Sequence, residues 1–163
     1  MLFKELADQV QAEWATANFD LEVFPSIALK ALETFKYDSS ASEFNSHVTG
    51  WLLGQQVLPT QINVHNTFGQ PPITLFNNGK FVVDVYIWQN FDTSLHSHGF
   101  RGAFRVLFGK SLHEEFAFKP VEKFAPDVFR TSMVSPTRSL LFAGDSLPIL
   151  AGDRLTHRVI HLE

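Results

Sequence analysis

The chain has 163 residues, 45% of them hydrophobic and 18% charged, with a formal net charge of −4. Those values describe one folded domain and exclude an intrinsically disordered chain, while the acidic balance speaks against an electrostatic nucleic-acid binder. Cysteine is absent, which removes disulfides, thiolate catalysis and zinc–thiolate sites, so a metal centre here must be built from His, Asp, Glu and solvent.

Residues 1–58 read as helical. Leu2, Phe3, Leu6, Val10 and Trp14 recur at three- and four-residue spacing, one apolar face of a first helix. This start is amphipathic and is no secretory signal; no apolar run approaches the ~20 residues of a membrane span. A cytoplasmic protein without membrane or nucleic-acid partners is therefore expected. Pro25 stands where a second helix begins, followed by Ile27, Leu29, Leu32 and Phe35. Ser40, with Glu43 three residues on, makes a capping box for a third helix that carries Phe44, Val48, Trp51 and Leu52. Pro59 closes it.

From residue 71 the texture changes to strands and turns. Asn78-Gly79 is a hairpin dipeptide between apolar runs at 73–76 and 81–88. The second run has one apolar face (Phe81, Val83, Val85, Ile87) and one mixed face (Val82, Asp84, Tyr86, Trp88). Further strands are expected at 93–100, 102–108, 112–119, 127–134, 138–143 and 155–162. Many short strands with Gly- and Pro-marked turns predict a mainly β protein, a jelly roll or barrel, with the helices packed on it as one unit. Phe91, Phe100, Phe104, Phe108, Phe116 and Phe118 are expected in its core, some of them lining an apolar substrate pocket.

His96-Ser97-His98 falls within one expected strand. Strand side chains alternate with period two, so both rings project to one side. Two imidazoles converging on one point suit Fe, Zn, Cu or Ni. An H-x-H alone equally describes two structural strand histidines, and its meaning turns on a third donor elsewhere.

The stretch from His96 to Gly109 resembles the first motif of the cupin superfamily, G-x5-H-x-H-x(3,4)-E-x6-G. His96 and His98 fill the H-x-H and Gly109 the closing glycine, whereas the glutamate position falls on Gly102 (Ala103 at the longer spacing) and the opening glycine on Asn90. The second motif, G-x5-P-x-G-x2-H-x3-N, is echoed by Gly144 and Gly152, with Leu150 at the proline and Leu155 at the histidine position. His157 lies two residues further on, a displacement that keeps the same strand face. His96, His98 and His157 then look like a three-histidine cupin site without a carboxylate. Among cupins this resembles the cysteine-dioxygenase-like thiol dioxygenases, as do Trp88 shortly before the H-x-H and the triplet His157-Arg158-Val159. The resemblance covers residues 80–163.

The resemblance implies a cupin-type jelly-roll barrel at 70–163 behind a helical region at 1–60, in a single domain. It implies Fe(II), with Zn, Ni or Mn as alternatives, held by His96, His98 and His157, and a small-molecule substrate oxidised by O2. A tyrosine over the metal and a cation for an anionic substrate are expected by the same analogy. Tyr86 is the better placed tyrosine, and the cation remains open among Arg101, Arg105, Arg154 and Arg158. Strand alternation from His98 turns Arg101 and Arg105 away from the metal unless Gly99 or Gly102 reverses it.

The same scaffold also hosts metal-dependent lyases and isomerases, or a non-catalytic ligand-binding module. His161 shares a strand face with His157 and is either an outer partner or a packing residue. His47 and His65 read as structural. His113, beside Glu114 and Glu115, reads as a solvated strand edge. Asp84 is a minor candidate for the missing carboxylate. Many cupins continue past the strand that ends here at His161-Leu162-Glu163. Either the barrel closes with N-terminal strands or a partner, or the chain belongs to a longer protein, and an exposed final edge would favour a homodimer through strand addition.

Overall fold

A computed structural model of the chain describes residues 2–37, 40–62, 72–88, 92–125 and 128–162. His65, Asn90 and Phe91 lie outside them, as does the side chain of Leu2. The expected helices form as α1 (Leu2–Thr16), α2 (Phe24–Thr34) and α3 (Ala41–Gly54). The stripe of α1 sinks Leu6, Ala7, Val10 and Trp14 against Phe24 and Ala31 of α2. Full burial of a large apolar side chain of this kind contributes on the order of 1.5–3 kcal/mol. Pro25 sits in the first turn of α2, where a missing N–H costs nothing. At the start of α3 the Ser40 N–H donates to the Glu43 carboxylate (2.8 Å), and the Glu43 N–H donates back to Ser40 Oγ (3.3 Å). No helix among the described residues is long and apolar enough to cross a membrane.

β1 (Pro72–Asn77) and β2 (Val82–Tyr86) pair antiparallel around Asn78-Gly79, with Gly79 at φ 77°. The Asn78 side-chain oxygen accepts from the N–H groups of Lys80 and Phe81 at 3.0 and 3.1 Å, which closes the turn. The hairpin anchors the helical layer at both ends. Phe81 enters the α1–α2 cluster, while Ile73 and Leu75 pack with Phe3, Phe44 and Val48.

The remaining strands are β3 (His96–Ser97), β4 (Gly102–Arg105), β5 (Lys110–Phe116), β6 (Phe118–Ala125), β7 (Val128–Met133), β8 (Thr137–Phe142), β9 (Ser146–Ile149) and β10 (Thr156–Leu162). They form an antiparallel four-stranded sheet of order β3-β10-β5-β8 and two separate ladders, β4-β9 and β6-β7. The protein is therefore mainly β with three helices among the described residues. The expected closed barrel is not formed by them. The large sheet ends at β8 on one side and at the two-residue β3 on the other, and no ladder joins it to the other pairs.

Two expectations about burial are corrected. Phe100 and Phe108 are exposed, because they flank turns, while Phe104, Phe116 and Phe118 are half-buried. β5 is no solvated edge: it lies between β10 and β8, so His113 and Glu114 are only 1% and 2% exposed.

Candidate metal centre

β3 and β10 run antiparallel with His96 directly opposite His157. Cross-strand neighbours stand about 5 Å apart at Cβ, so their rings meet without further help. His98 follows β3 by one residue on the same face and is held by a bridge to Ala151, whose neighbour Gly152 donates its N–H to the His98 carbonyl at 2.8 Å. Gly152, at φ 69°, opens the short 3₁₀ turn Gly152–Arg154 that returns the chain into β10. The three rings come together with centroids 4.6–5.0 Å apart. One nitrogen from each lies within 4.8 Å of the others.

The hydrogen bonds choose which nitrogens face inward. Nδ1 of His96 is 2.7 Å from the carbonyl oxygen of Ser94. A carbonyl only accepts, so that nitrogen carries the proton and Nε2 keeps its lone pair. Nε2 of His98 and Nε2 of His157 are 2.9 Å apart, and Nδ1 of His157 turns outward to Nε2 of His113 at 2.6 Å.

Burial keeps two of the three rings, His98 and His157, neutral. Burial, and then the charges that His113, His96 and His98 would carry, push His157 down to about 3. Burial and His96 push His98 down to about 4. At neutral pH both are neutral imidazoles, the form a metal requires. Together the three residues offer a metal ion a set of imidazole nitrogens, the donor type that suits Fe, Zn, Cu and Ni, with an orienting hydrogen bond behind His96.

The chain matches no family model, no curated protein and no solved structure. The site must be judged on its own residues.

The other sequence candidates lie elsewhere. Tyr86 ends β2, bonds the Asp84 carboxyl and stacks on Trp88 at 6.0 Å, and Trp88 lies 4.2 Å from the His161 ring. His161 is four residues from His157 along β10, about 13 Å at strand rise, so these contacts tie Tyr86 to the far end of that strand. Asp84 is raised by burial, against hydrogen bonds from Thr74 and Tyr86. It is not part of the metal-donor group, which holds no carboxylate among the described residues. His161 is half-buried, with Nδ1 3.1 Å from Ser111 Oγ. His47 bonds the Tyr37 hydroxyl at 2.6 Å on the helical side.

Each candidate arginine is engaged with the protein. Arg105 donates to the carbonyls of Leu32, Glu33 and Phe35, capping the C-terminal end of α2. Arg158 and Arg138 flank the buried carboxylate of Glu114 from the opposite face of the sheet, and both hold it below the usual carboxylate range. Arg101 and Arg154 share Glu22 at 2.6 and 2.7 Å. Exposed side chains beside the ligands are both polar and apolar: Ser94, Leu95 and Ser97 flank His96, and the Phe100 ring lies 4.8 Å from that of His98.

His113 is the residue that sequence reasoning missed. Its signal was the odd-numbered alternation Ser111, His113, Glu115, which matches His157, Val159, His161 only once β5 and β10 are known to be neighbours.

Proposed function

We propose that His96, His98 and His157 hold a divalent transition metal, Fe(II) foremost with Zn, Ni or Mn as alternatives. On this reading the protein is a cupin-like non-haem dioxygenase of a small molecule, in the manner of the three-histidine thiol dioxygenases. The observation that carries it is the convergence of three imidazoles with no carboxylate among the described metal-donor residues. When bound, ferrous iron supplies O2 chemistry and open positions for a substrate heteroatom.

The chain's own part is to orient and to exclude. The Ser94 carbonyl turns Nε2 of His96 inward, and burial keeps His98 and His157 as neutral imidazoles. The exposed Phe100 ring beside His98 gives the approach an apolar side, which favours a substrate with an apolar portion. An acidic substrate seeking Arg101 would have to take it from Glu22, whereas a neutral or amine-bearing thiol needs no such exchange.

The test is metal analysis of the purified chain, followed by O2 uptake by the Fe(II)-loaded protein with a thiol acid, an aminothiol and an alkyl thiol. Equimolar iron and O2 uptake with at least one thiol are expected. Iron without uptake from any of them removes the substrate class and leaves the centre. Zn or Ni with O2-independent turnover points to a lyase or isomerase, and failure to bind any metal points to a ligand-binding module.

A further inference from the structure

Behind the centre stands a second, fully buried imidazole. His113 and His157 occupy neighbouring strands of one sheet, are 1% and 4% exposed, and place Nε2 and Nδ1 2.6 Å apart. One proton lies between those nitrogens, and its ownership decides what His157 can do. If His157 carries it, Nε2 of His157 presents a lone pair towards His98 and His96. If His113 carries it, His157 is protonated on Nε2 instead and is closed to a metal.

The surroundings choose between the two. Nδ1 of His113 has no hydrogen-bond partner among the described residues, and it faces Oε1 of Glu115 at 3.5 Å. A carboxylate oxygen accepts only, so it favours a proton on Nδ1 of His113. A bare lone pair there would meet another lone pair inside a buried site, where such opposition is costly. A neutral imidazole has one proton, so His113 then offers Nε2 as an acceptor and the shared proton belongs to His157. Glu115 is half exposed and on the same strand face as His113, so it reaches this nitrogen from the solvent side.

We infer that His113 is the positioning residue of the metal centre: it accepts the Nδ1–H of His157, with Glu115 fixing the tautomer of His113 in turn. This rests on the metal reading above and adds a three-residue relay, Glu115–His113–His157, that ends at the ligand nitrogen. Such outer hydrogen bonds hold a ligand ring in place and raise its basicity. His113 is a positioning residue and touches neither metal nor substrate.

Zinc serves as the probe, since it binds imidazole and is diamagnetic. Zinc affinity is measured by chelator competition for the wild type, His113→Gln, His113→Phe and His96→Ala, alongside the thermal midpoint of each metal-free protein. His113→Phe is expected to lose about 10- to 100-fold in affinity. His113→Gln, whose amide oxygen can accept the same proton, is expected to recover most of that loss. Equal affinity of His113→Phe and wild type overturns the inference while leaving the centre intact, and so does a glutamine variant as weak as the phenylalanine one. Absence of zinc binding by the wild type, or binding unaffected by His96→Ala, overturns the metal reading and the inference with it. Should His113→Phe fail to fold, the ¹⁵N–¹H imidazole spectrum of the zinc-loaded wild type decides. A hydrogen-bonded proton on Nδ1 of His157 is expected, and a proton on its Nε2 overturns the inference.

Discussion

Adjacent residues of one strand, His113 and Glu114, are equally buried and lie on opposite faces of the same sheet, and they face opposite chemistry. On one face Glu114 is flanked by the guanidinium groups of Arg138 and Arg158, and its charge is answered. On the other, His113 meets His157, which meets His98, and the carboxylate that faces this chain, Glu115, stands half exposed 3.5 Å from Nδ1 of His113. Paired charges hold a sheet together and leave nothing over for a ligand. Neutral imidazoles with nitrogens turned towards one another leave the binding capacity that the first face spends on itself. The period-two alternation of β5 and β10 is enough to keep the two apart.

The comparison breaks most plainly by deletion on each side. His157→Ala removes the most buried ligand and is expected to abolish stoichiometric metal binding while the fold persists, as equilibrium dialysis and circular dichroism would show together. Glu114→Gln is expected to do the reverse. It leaves two guanidinium groups without their carboxylate and lowers the thermal midpoint in low salt, with metal affinity unchanged. Loss of metal binding in Glu114→Gln would mean that the two faces are not independent.

Acid separates them by pH. His157 and His98 titrate at about 3 and 4 in the folded chain, below the usual 6.5. Between those values the unfolded chain takes up protons that the folded chain refuses, so stability of the metal-free protein falls as pH drops from about 6.5. Each histidine adds a slope of at most about 1.4 kcal/mol per pH unit. Glu114 is depressed below 4.5, so its contribution is whole above that value and fades only below it. Urea unfolding across pH 7 to 4 should therefore show a decline that begins above pH 5 and flattens in His157→Gln. A decline confined to pH below 4.5 would mean that the imidazoles are not held neutral.

The helical layer was legible because its signals are local. The stripe from Phe3 to Trp14, Pro25, the Ser40–Glu43 box and the Asn78-Gly79 turn each act within a few residues, and each stands where it was expected. The pairing of His96 with His157 was legible only through the spacing of two motifs. What a single sequence does not carry is which strands become neighbours. That lies behind the misplacement of His113 as an edge residue and behind the expectation of a closed barrel. β6 and β9 were missed for a related reason: Ala117 breaks what reads as one run, and β9 is four residues long with Pro148 inside it.

Arg105 gives the smallest effect and the finest test of the division between structure and site. From the sequence it is a candidate to hold an anionic substrate, and in the fold its guanidinium takes up three carbonyls at the end of α2. The Leu32 carbonyl already accepts the Phe35 N–H at 3.2 Å, and the arginine adds a second donor there and serves the Glu33 and Phe35 carbonyls as a C-cap would. Charge-assisted hydrogen bonds of this kind contribute about 1.5–3 kcal/mol together with the desolvation they prevent. Arg105→Ala is expected to lower stability by about that amount in urea unfolding, with zinc affinity and the KM for any accepted thiol unchanged. A rise in KM at unchanged stability would return Arg105 to the substrate side and draw the boundary between scaffold and site through β4.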